Sequence, residues 1–107
     1  MQSELNIVKK IIEDIITQNN LRLVKIILFG SRARGDYKKE SDYDFFVVIN
    51  KDLSFPEKSE INTQIRRKLA ENNISADIIL QSEKKLEERK NNVGYLSYYV
   101  IKEGIPL

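Results

Sequence analysis

The sequence of 107 residues is 41% hydrophobic and 32% charged, which fits one compact domain and excludes collagen-like, low-complexity and wholly disordered chains. It contains no Cys and no His, which excludes disulfide frameworks, thiolate zinc sites and cysteine or histidine catalysis, and leaves oxygen ligands that suit hard cations such as Mg²⁺. The 18 basic residues exceed the 16 acidic ones by a net charge of only +2, which does not by itself indicate nucleic-acid binding.

The beginning of the chain carries no sign of a targeting segment. Residues 1–4 lack a basic region followed by an apolar stretch, and no apolar run approaches the roughly 20 residues that span a bilayer. We therefore expect a soluble, cytoplasmic protein that does not contact a membrane.

The first half of the chain predicts a helix and two strands. Apolar residues recur at helical spacing over residues 5–16, and Gln-Asn-Asn at 18–20 ends this amphipathic helix. Residues 21–29 form a β-branched, mostly apolar run that predicts a strand buried on both faces and stopping at Gly30. Residues 30–42 are polar, and residues 43–50 predict a second strand rich in Phe, Val and Ile.

The second half continues the alternation of helices and strands. A loop at 54–56 precedes a helix over 57–71, which Asn-Asn at 72–73 closes before a third strand over 74–80. Residues 82–91 are almost all charged and predict a solvated helix or arm, and residues 93–102 predict a last helix ended by Gly104 and Pro106. The sequence thus predicts an α/β (α+β) fold, a small mixed sheet with helices packed against it, as a single domain over 1–107, with the pairing sense of the first two strands left open.

Three carboxylates stand out beside or within the predicted strands. Asp42 and Asp44 lie two residues apart where the second strand begins, so their side chains face one side and repel each other unless solvent or a cation compensates. Asp77 is a lone charge within the apolar third strand. If that strand neighbours the second, all three converge and can hold two Mg²⁺ ions for phosphoryl or nucleotidyl transfer. The alternatives are a solvated turn or helix cap for Asp42 and Asp44, and an edge strand that points Asp77 into water.

A glycine turn follows the first strand. Gly30 and Ser31 end a buried strand before a short helical segment, which exposes backbone N–H groups and a hydroxyl to a phosphate. Arg32 and Arg34 add cations beside them, and Gly35 lets the loop return toward the second strand. The alternative is an ordinary strand-to-helix turn with two solvated arginines.

Together these motifs resemble a known family. Gly-Ser-Arg-Ala-Arg-Gly at 30–35, followed by Ser-Asp-Tyr-Asp at 41–44 and an apolar strand, closely resembles the signature of the DNA polymerase β-like nucleotidyltransferase superfamily. The short length is similar to that of the minimal nucleotidyltransferases, and the resemblance covers nearly the whole chain.

The resemblance implies a role for each position. Gly30 and Ser31 would bind the triphosphate of ATP, with Arg32 and Arg34 placed to touch phosphates or an acceptor. Asp42 and Asp44 would hold two Mg²⁺ ions. Asp77 would complete the second metal site and assist deprotonation of the attacking hydroxyl. Nucleotidyl transfer depends on positioning and charge neutralisation, so the lack of His and Cys does not exclude it.

The resemblance also implies a partner. Stand-alone proteins of this kind resemble the antitoxins of helical HEPN ribonuclease toxins, and family members transfer AMP from ATP to a tyrosine of that toxin. We therefore expect a Mg²⁺-dependent protein adenylyltransferase that associates with a HEPN toxin and does not itself bind nucleic acid. Two alternatives stay open: a non-catalytic antitoxin that acts by forming a complex, and a nucleotidyltransferase with a small-molecule acceptor. The Tyr-rich stretch at 93–101 fits either core packing or a partner surface.

Overall fold

The computed structural model describes residues 2–107. The described elements, in chain order, are α1 Gln2–Gln18, β1 Leu23–Phe29, α2 Ser31–Arg34, β2 Tyr43–Ile49, α3 Phe55–Glu71, β3 Ala76–Ser82, α4 Glu83–Arg89, α5 Leu96–Glu103 and β4 Ile105–Pro106. The four strands form one sheet in the order β3-β2-β1-β4. β2 pairs antiparallel with β1 and parallel with β3, and β4 pairs antiparallel with β1, so the sheet is mixed as the sequence predicts.

Helices cover both faces of the sheet. The larger core lies between one face and the long helices α1 and α3, and Phe45 and Val47 of β2 are fully buried in it. On the other face, Phe46 and Val48 of β2 contact Leu86 of α4 and Val100 of α5 in a smaller core. Because β2 is buried on both faces, alternation of its side chains supplies both cores at once.

Both long helices end in the same way. At the end of α1 the Leu21 nitrogen donates to the Ile16 oxygen at 3.1 Å, and at the end of α3 the Ile74 nitrogen donates to the Leu69 oxygen at 3.0 Å. Asn20 and Asn73 take left-handed conformations, with φ of 60° and 59°. These are Schellman motifs, in which a left-handed residue lets the chain reverse while the last helical carbonyls stay paired. They deliver the chain from each long helix directly into a strand.

Several element boundaries differ from the sequence-based prediction. α3 begins at Phe55, within the stretch predicted as a loop, because Ser54 caps the helix and forms a reciprocal capping box with Glu57. β1 begins at Leu23 rather than at residue 21, and only its second half is buried on both faces. β3 covers 76–82 instead of 74–80. The stretch at 82–91, predicted as a solvated helix or arm, contains the helix α4 over 83–89, which Ser82 caps by accepting from the Lys85 nitrogen and which buries Leu86.

The end of the chain forms a strand that the sequence did not predict. After α5, Ile105 and Pro106 pair with Leu28 and Ile27 of β1, and the Leu107 nitrogen donates to the Ile26 oxygen at 2.9 Å. Proline is accepted here because β4 lies at the edge of the sheet, where no further strand needs its missing N–H.

Candidate active site

The strand pairing brings the predicted site residues to one edge of the sheet. Because β1 runs antiparallel to β2, and β2 runs parallel to β3, the end of β1 lies beside the beginnings of β2 and β3. Phe29 is paired with Asp44, and Asp44 is paired with Asp77. Gly30 therefore follows β1 beside Asp44, the second residue of β2, and the two aspartates are directly paired on neighbouring strands.

The carboxylates of Asp44 and Asp77 share one face of the sheet. By the alternation of β2, Asp44 faces the same side as Phe46 and Val48, which belong to the core under α4 and α5. The pairing of Asp44 with Asp77 places both residues on that side. Asp44 is half-buried, whereas Asp77 is exposed, as is Asp42 just before β2. The pair thus lies at the end of the sheet face that α4 and α5 leave open.

Asp44 is held in an unfavourable electrostatic environment. Its pKa is raised above the ordinary value for an aspartate by partial burial, then by the neighbouring charge of Asp77 and, to a smaller extent, of Asp42, while Arg34 opposes the shift. Within residues 2–107, no hydrogen bond or salt bridge reaches the carboxylates of these three aspartates. A bound cation would relieve this repulsion, and the all-oxygen donor set suits a hard divalent ion.

The three side chains do not form a ready-made metal cluster. In the part of the chain that the structure describes, no group of three carboxylates is arranged closely enough to hold a metal ion. What the fold brings together is the ladder positions of Asp44 and Asp77, with Asp42 close enough to affect the pKa of Asp44. The convergence of all three on a metal stays a prediction. Asp77 also occupies the edge strand β3, as the alternative interpretation of this residue required.

Gly30 is required by both conformation and space. Its φ of 73° and ψ of −159° lie in a region that side chains strongly disfavour. A Cβ added at this position would overlap Oδ2 of Asp44 and lie 3.0 Å from its Cγ. The Asp44 carboxylate therefore rests directly on the backbone of the glycine turn, so the two halves of the predicted site are in contact.

The turn after Gly30 leaves backbone donors free. The Gly30 oxygen accepts from the nitrogens of Ala33 and Arg34, each at 3.1 Å, as α2 begins. The N–H groups of Ser31 and Arg32 lie in the first turn of this short helix, where a helix provides no carbonyl partner for them. These two donors are the groups that the sequence predicted would face a phosphate.

The two arginines of α2 have different surroundings. Arg34 is exposed, forms an ion pair with Asp36 at 3.4 Å and lies near enough to Asp44 to lower its pKa. Arg32 instead donates to main-chain carbonyl oxygens of Ser41 and Lys39, and its guanidinium lies over two tyrosine rings. Of the two, Arg34 is the one whose charge acts on the Asp44 carboxyl.

Sequence reasoning missed the residues that surround Arg32. Tyr37 and Tyr43 each have a ring centroid 4.4 Å from the Arg32 Cζ, and the Tyr43 hydroxyl donates to Oε1 of Glu4 at 2.9 Å. The position of Tyr43 between two aspartates drew attention to the carboxylates alone. The only available signal was the presence of tyrosines on either side of a short polar loop that contains no other aromatic residue.

The Tyr-rich stretch at 93–101 is partly core and partly surface. Ser97 and Val100 of α5 are buried, and the Ser97 hydroxyl donates to Gln81 of β3 at 2.9 Å. Large side chains on the same stretch are exposed: Val93, Tyr95, Leu96, Tyr99 and Ile101. Core packing is thus confirmed for Ser97 and Val100, and a partner surface at the exposed side chains stays a prediction. None of the helices within residues 2–107 is long and apolar enough to cross a membrane.

The chain matches one protein family and is similar to other proteins and solved structures. A family profile described as "Nucleotidyltransferase domain" matches residues 8–101. Two proteins of Methanocaldococcus jannaschii, each named "Putative protein adenylyltransferase", are 40% identical to it over 57 and 53 residues. These matches cover 53% and 50% of this chain and 58% and 53% of the relatives, so the chain spans about half the length of the curated relatives it matches.

Two solved structures share the fold. One is described as a "putative nucleotidyltransferase" from Sulfolobus solfataricus and has a TM-score of 0.63 at 23% identity. The match covers 98% of this chain and 82% of the chain in that structure. The other is described as a toxin–antitoxin with AMP-PNP and has a TM-score of 0.58 at 20% identity. The match covers 91% of this chain and 69% of the chain in that structure. These likenesses confirm the fold class predicted from the sequence, a small mixed sheet with packed helices.

Proposed function

We propose, since the chain belongs to the nucleotidyltransferase domain family, that it transfers AMP from ATP to a hydroxyl group of another protein. The observation that carries this proposal is the contact of the glycine turn with the carboxylate pair. The Asp44 carboxylate rests on Gly30 and is paired in register with Asp77, so phosphate-binding backbone and metal-binding oxygens adjoin. Nucleotidyl transfer needs this juxtaposition because negative charge must be offset both on the phosphates and on the attacking oxygen.

The residues divide into two groups under this proposal. The N–H groups after Gly30, the Ser31 hydroxyl and the Arg34 guanidinium face the triphosphate, where their positive ends offset its charge. Asp42, Asp44 and Asp77 would hold two Mg²⁺ ions, which would neutralise phosphate charge and lower the pKa of the acceptor hydroxyl. Asp77, exposed at the edge strand, is the carboxylate that an acceptor can reach to pass on its proton.

The reaction balances without any further reactant. The acceptor oxygen forms a bond to the α-phosphorus of ATP, the bond from that phosphorus to the β-phosphate oxygen breaks, and pyrophosphate leaves. The acceptor hydroxyl loses its proton to the Asp77 carboxylate. These steps use only carboxylates, backbone donors and a cation, which agrees with a sequence that contains no His and no Cys.

The proposed acceptor is a tyrosine of a HEPN ribonuclease toxin, with this chain acting as its antitoxin in a hetero-oligomer. Two supports come from similar proteins: the two Methanocaldococcus jannaschii relatives are each named "Putative protein adenylyltransferase", and one structural neighbour is described as a toxin–antitoxin with AMP-PNP. The exposed apolar side chains at 93–101 favour a second candidate function, neutralisation of the partner by complex formation alone.

The test is transfer of label from α-phosphate-labelled ATP to proteins of a host lysate in the presence of Mg²⁺. We expect one discrete labelled protein with the wild type and none with the Asp42→Asn, Asp44→Asn double variant. The matched control is Asp14→Asn, which removes an aspartate that forms an exposed ion pair with Lys10 on α1.

The outcomes separate the two candidate functions. Label lost in the double variant and kept in Asp14→Asn supports nucleotidyl transfer and identifies the acceptor. A partner that co-purifies with both wild type and double variant, and is never labelled, contradicts the enzymatic proposal and favours complex formation. Label on small hydroxyl compounds instead of a protein contradicts the proposed acceptor class.

A further inference from the structure

One side chain links the glycine turn to the loop that leads into the carboxylates. Arg32 of α2 donates to the Ser41 oxygen from Nε at 3.2 Å and from Nη2 at 2.9 Å, and to the Lys39 oxygen from Nη2 at 3.2 Å. Its guanidinium also lies over the rings of Tyr37 and Tyr43, with each centroid 4.4 Å from Cζ. We call this arrangement of Arg32, Tyr37 and Tyr43 the Arg32 clamp.

The two rings of the Arg32 clamp differ in how firmly they are held. Tyr43 is buried in β2, stacks on Phe45 with centroids 5.5 Å apart, and donates its hydroxyl hydrogen to Glu4. Tyr37 belongs to the connecting loop and is 40% exposed. Arg32 therefore ties a loop of irregular structure to a fixed ring of the sheet, because cation–π contacts and charged hydrogen bonds both act on it.

The hydrogen bonds of Arg32 act on the peptide unit of Asp42. The Ser41 oxygen, which receives two of the three bonds, lies in the same planar peptide unit as the Asp42 nitrogen. The Asp42 side chain is exposed, and no hydrogen bond or salt bridge within residues 2–107 orients it. The position of this carboxylate is consequently set by its backbone, which Arg32 holds.

From this geometry we infer that Arg32 is a positioning residue, which fixes the Ser41–Asp42 peptide so that the Asp42 carboxylate stays beside Asp44. This inference rests on the proposed function for its consequence in catalysis, and it assigns to Arg32 a role other than contact with phosphates. The three donor bonds occupy Nε and Nη2, the edge of the guanidinium that would otherwise bind an anion with two parallel bonds.

The test compares Arg32→Gln and Arg32→Lys with Arg89→Gln. Arg89 of α4 is a matched control, since its guanidinium lies 4.6 Å from the ring centroid of Tyr95 and it follows the far end of β3. That end is five rungs from Asp77, about 16 Å along the strand. Three readouts are measured on the whole chain: amide hydrogen exchange over 36–42, binding of Mn²⁺ as a spectroscopic substitute for Mg²⁺, and the kcat and KM of ATP in the transfer assay.

The first two readouts do not depend on activity. The Ser41 nitrogen donates to the Lys38 oxygen at 3.0 Å, and the Lys38 nitrogen donates to the Ser41 Oγ at 2.9 Å, so both amides report the order of the loop. In Arg32→Gln we expect their exchange to accelerate by about tenfold or more, and Mn²⁺ binding to weaken by a similar factor. In Arg32→Lys both changes should be smaller, because an ammonium retains the charge over the rings without the forked donors.

The kinetic readout separates positioning from phosphate binding. If Arg32 has a positioning role, Arg32→Gln should lower kcat and raise the Mg²⁺ concentration that transfer requires. The KM for ATP should change less than about threefold. An increase in the KM of ATP alone, with loop exchange and Mn²⁺ affinity as in Arg89→Gln, would overturn the inference in favour of a phosphate ligand. If the wild type transfers no nucleotide, the proposed function fails, while amide exchange and Mn²⁺ binding still decide the role of Arg32.

Discussion

Replacement of Asp44 by Asn should stabilise the protein while abolishing nucleotide transfer. Asp44 and Asp77 occupy paired positions on adjacent strands, which are about 4.8 Å apart, so their carboxylates lie about 5–6 Å from each other. Two like charges at that distance repel by about 0.7 kcal/mol in water and by about 3 kcal/mol at an effective dielectric constant of 20. Because Asp77 is exposed and Asp44 only half-buried, the lower part of this range applies, about 1 kcal/mol.

The assay is thermal unfolding in EDTA, followed by circular dichroism. For a domain of this size a gain of about 1 kcal/mol corresponds to an increase in Tm of about 4–8 °C. The gain should shrink in 1 M salt, which screens exposed charges. Mg²⁺ should raise the Tm of the wild type and leave that of Asp44→Asn nearly unchanged, since a ligand stabilises only the form that binds it.

The same reasoning gives the sign of the pH dependence. The raised pKa of Asp44 means that the folded state disfavours its ionised form, so the repulsion is present above that pKa and disappears as the carboxyl is protonated. The advantage of Asp44→Asn should therefore be full at neutral pH and decline as pH falls through the raised pKa toward about 3.9, the ordinary value for an aspartate. An Asp44→Asn protein that melts below the wild type in EDTA at neutral pH would refute the reasoning.

Three further predictions concern other parts of the fold. Gly30→Ala should lower both Tm and transfer activity, because its Cβ would overlap Asp44; in Gly35→Ala, with φ of 87° and open space around it, we expect only the cost of the backbone conformation, about 1 kcal/mol. Ser54→Ala removes the cap of α3 and should lower the free energy of unfolding by about 1 kcal/mol in urea titration, with transfer unchanged. The hydrogen bond from Ser82 lowers the Asp52 pKa, so the stabilisation by the ionised carboxylate is full above about pH 3.9, the ordinary value, and is lost as pH falls through the lowered pKa. Asp52→Asn should therefore weaken the dependence of the free energy of unfolding on pH in this acid range. An unchanged dependence would contradict this prediction.

Periodicity predicted the helices and strands whose stability comes from amphipathic packing. The helical spacing of apolar residues predicted α1, and the paired asparagines predicted where α1 and α3 end. The predicted start of α3 was wrong because Phe55 and Pro56 were interpreted as loop residues. Ser54 and Glu57 form a capping box, whose pattern is visible in the sequence. β4 could not be predicted, since two residues carry no periodicity and pair only where β1 offers a free edge.

For the candidate site, the sequence indicates candidate residues but not how the fold holds them. Alternation along β2 placed Asp44 on one face, but the pairing of Asp44 with Asp77 depends on a strand register that no local pattern specifies. The contact of Gly30 with Asp44 and the Arg32 clamp both arise from tertiary packing. Arg32 therefore looked equivalent to Arg34 in the sequence and differs from it in the fold.

The mixed pairing of the sheet also has a consequence for the order in which the protein folds. β1 and β2 are joined only by residues 30–42 and pair antiparallel, so their contact closes early. β3 pairs parallel to β2 and must wait for α3 to cross over the sheet, which makes it a late, non-local step. During synthesis we therefore expect Gly30 to meet Asp44 before Asp77 arrives, so a nascent chain holds the glycine turn and two carboxylates, and gains the third only when α3 has docked.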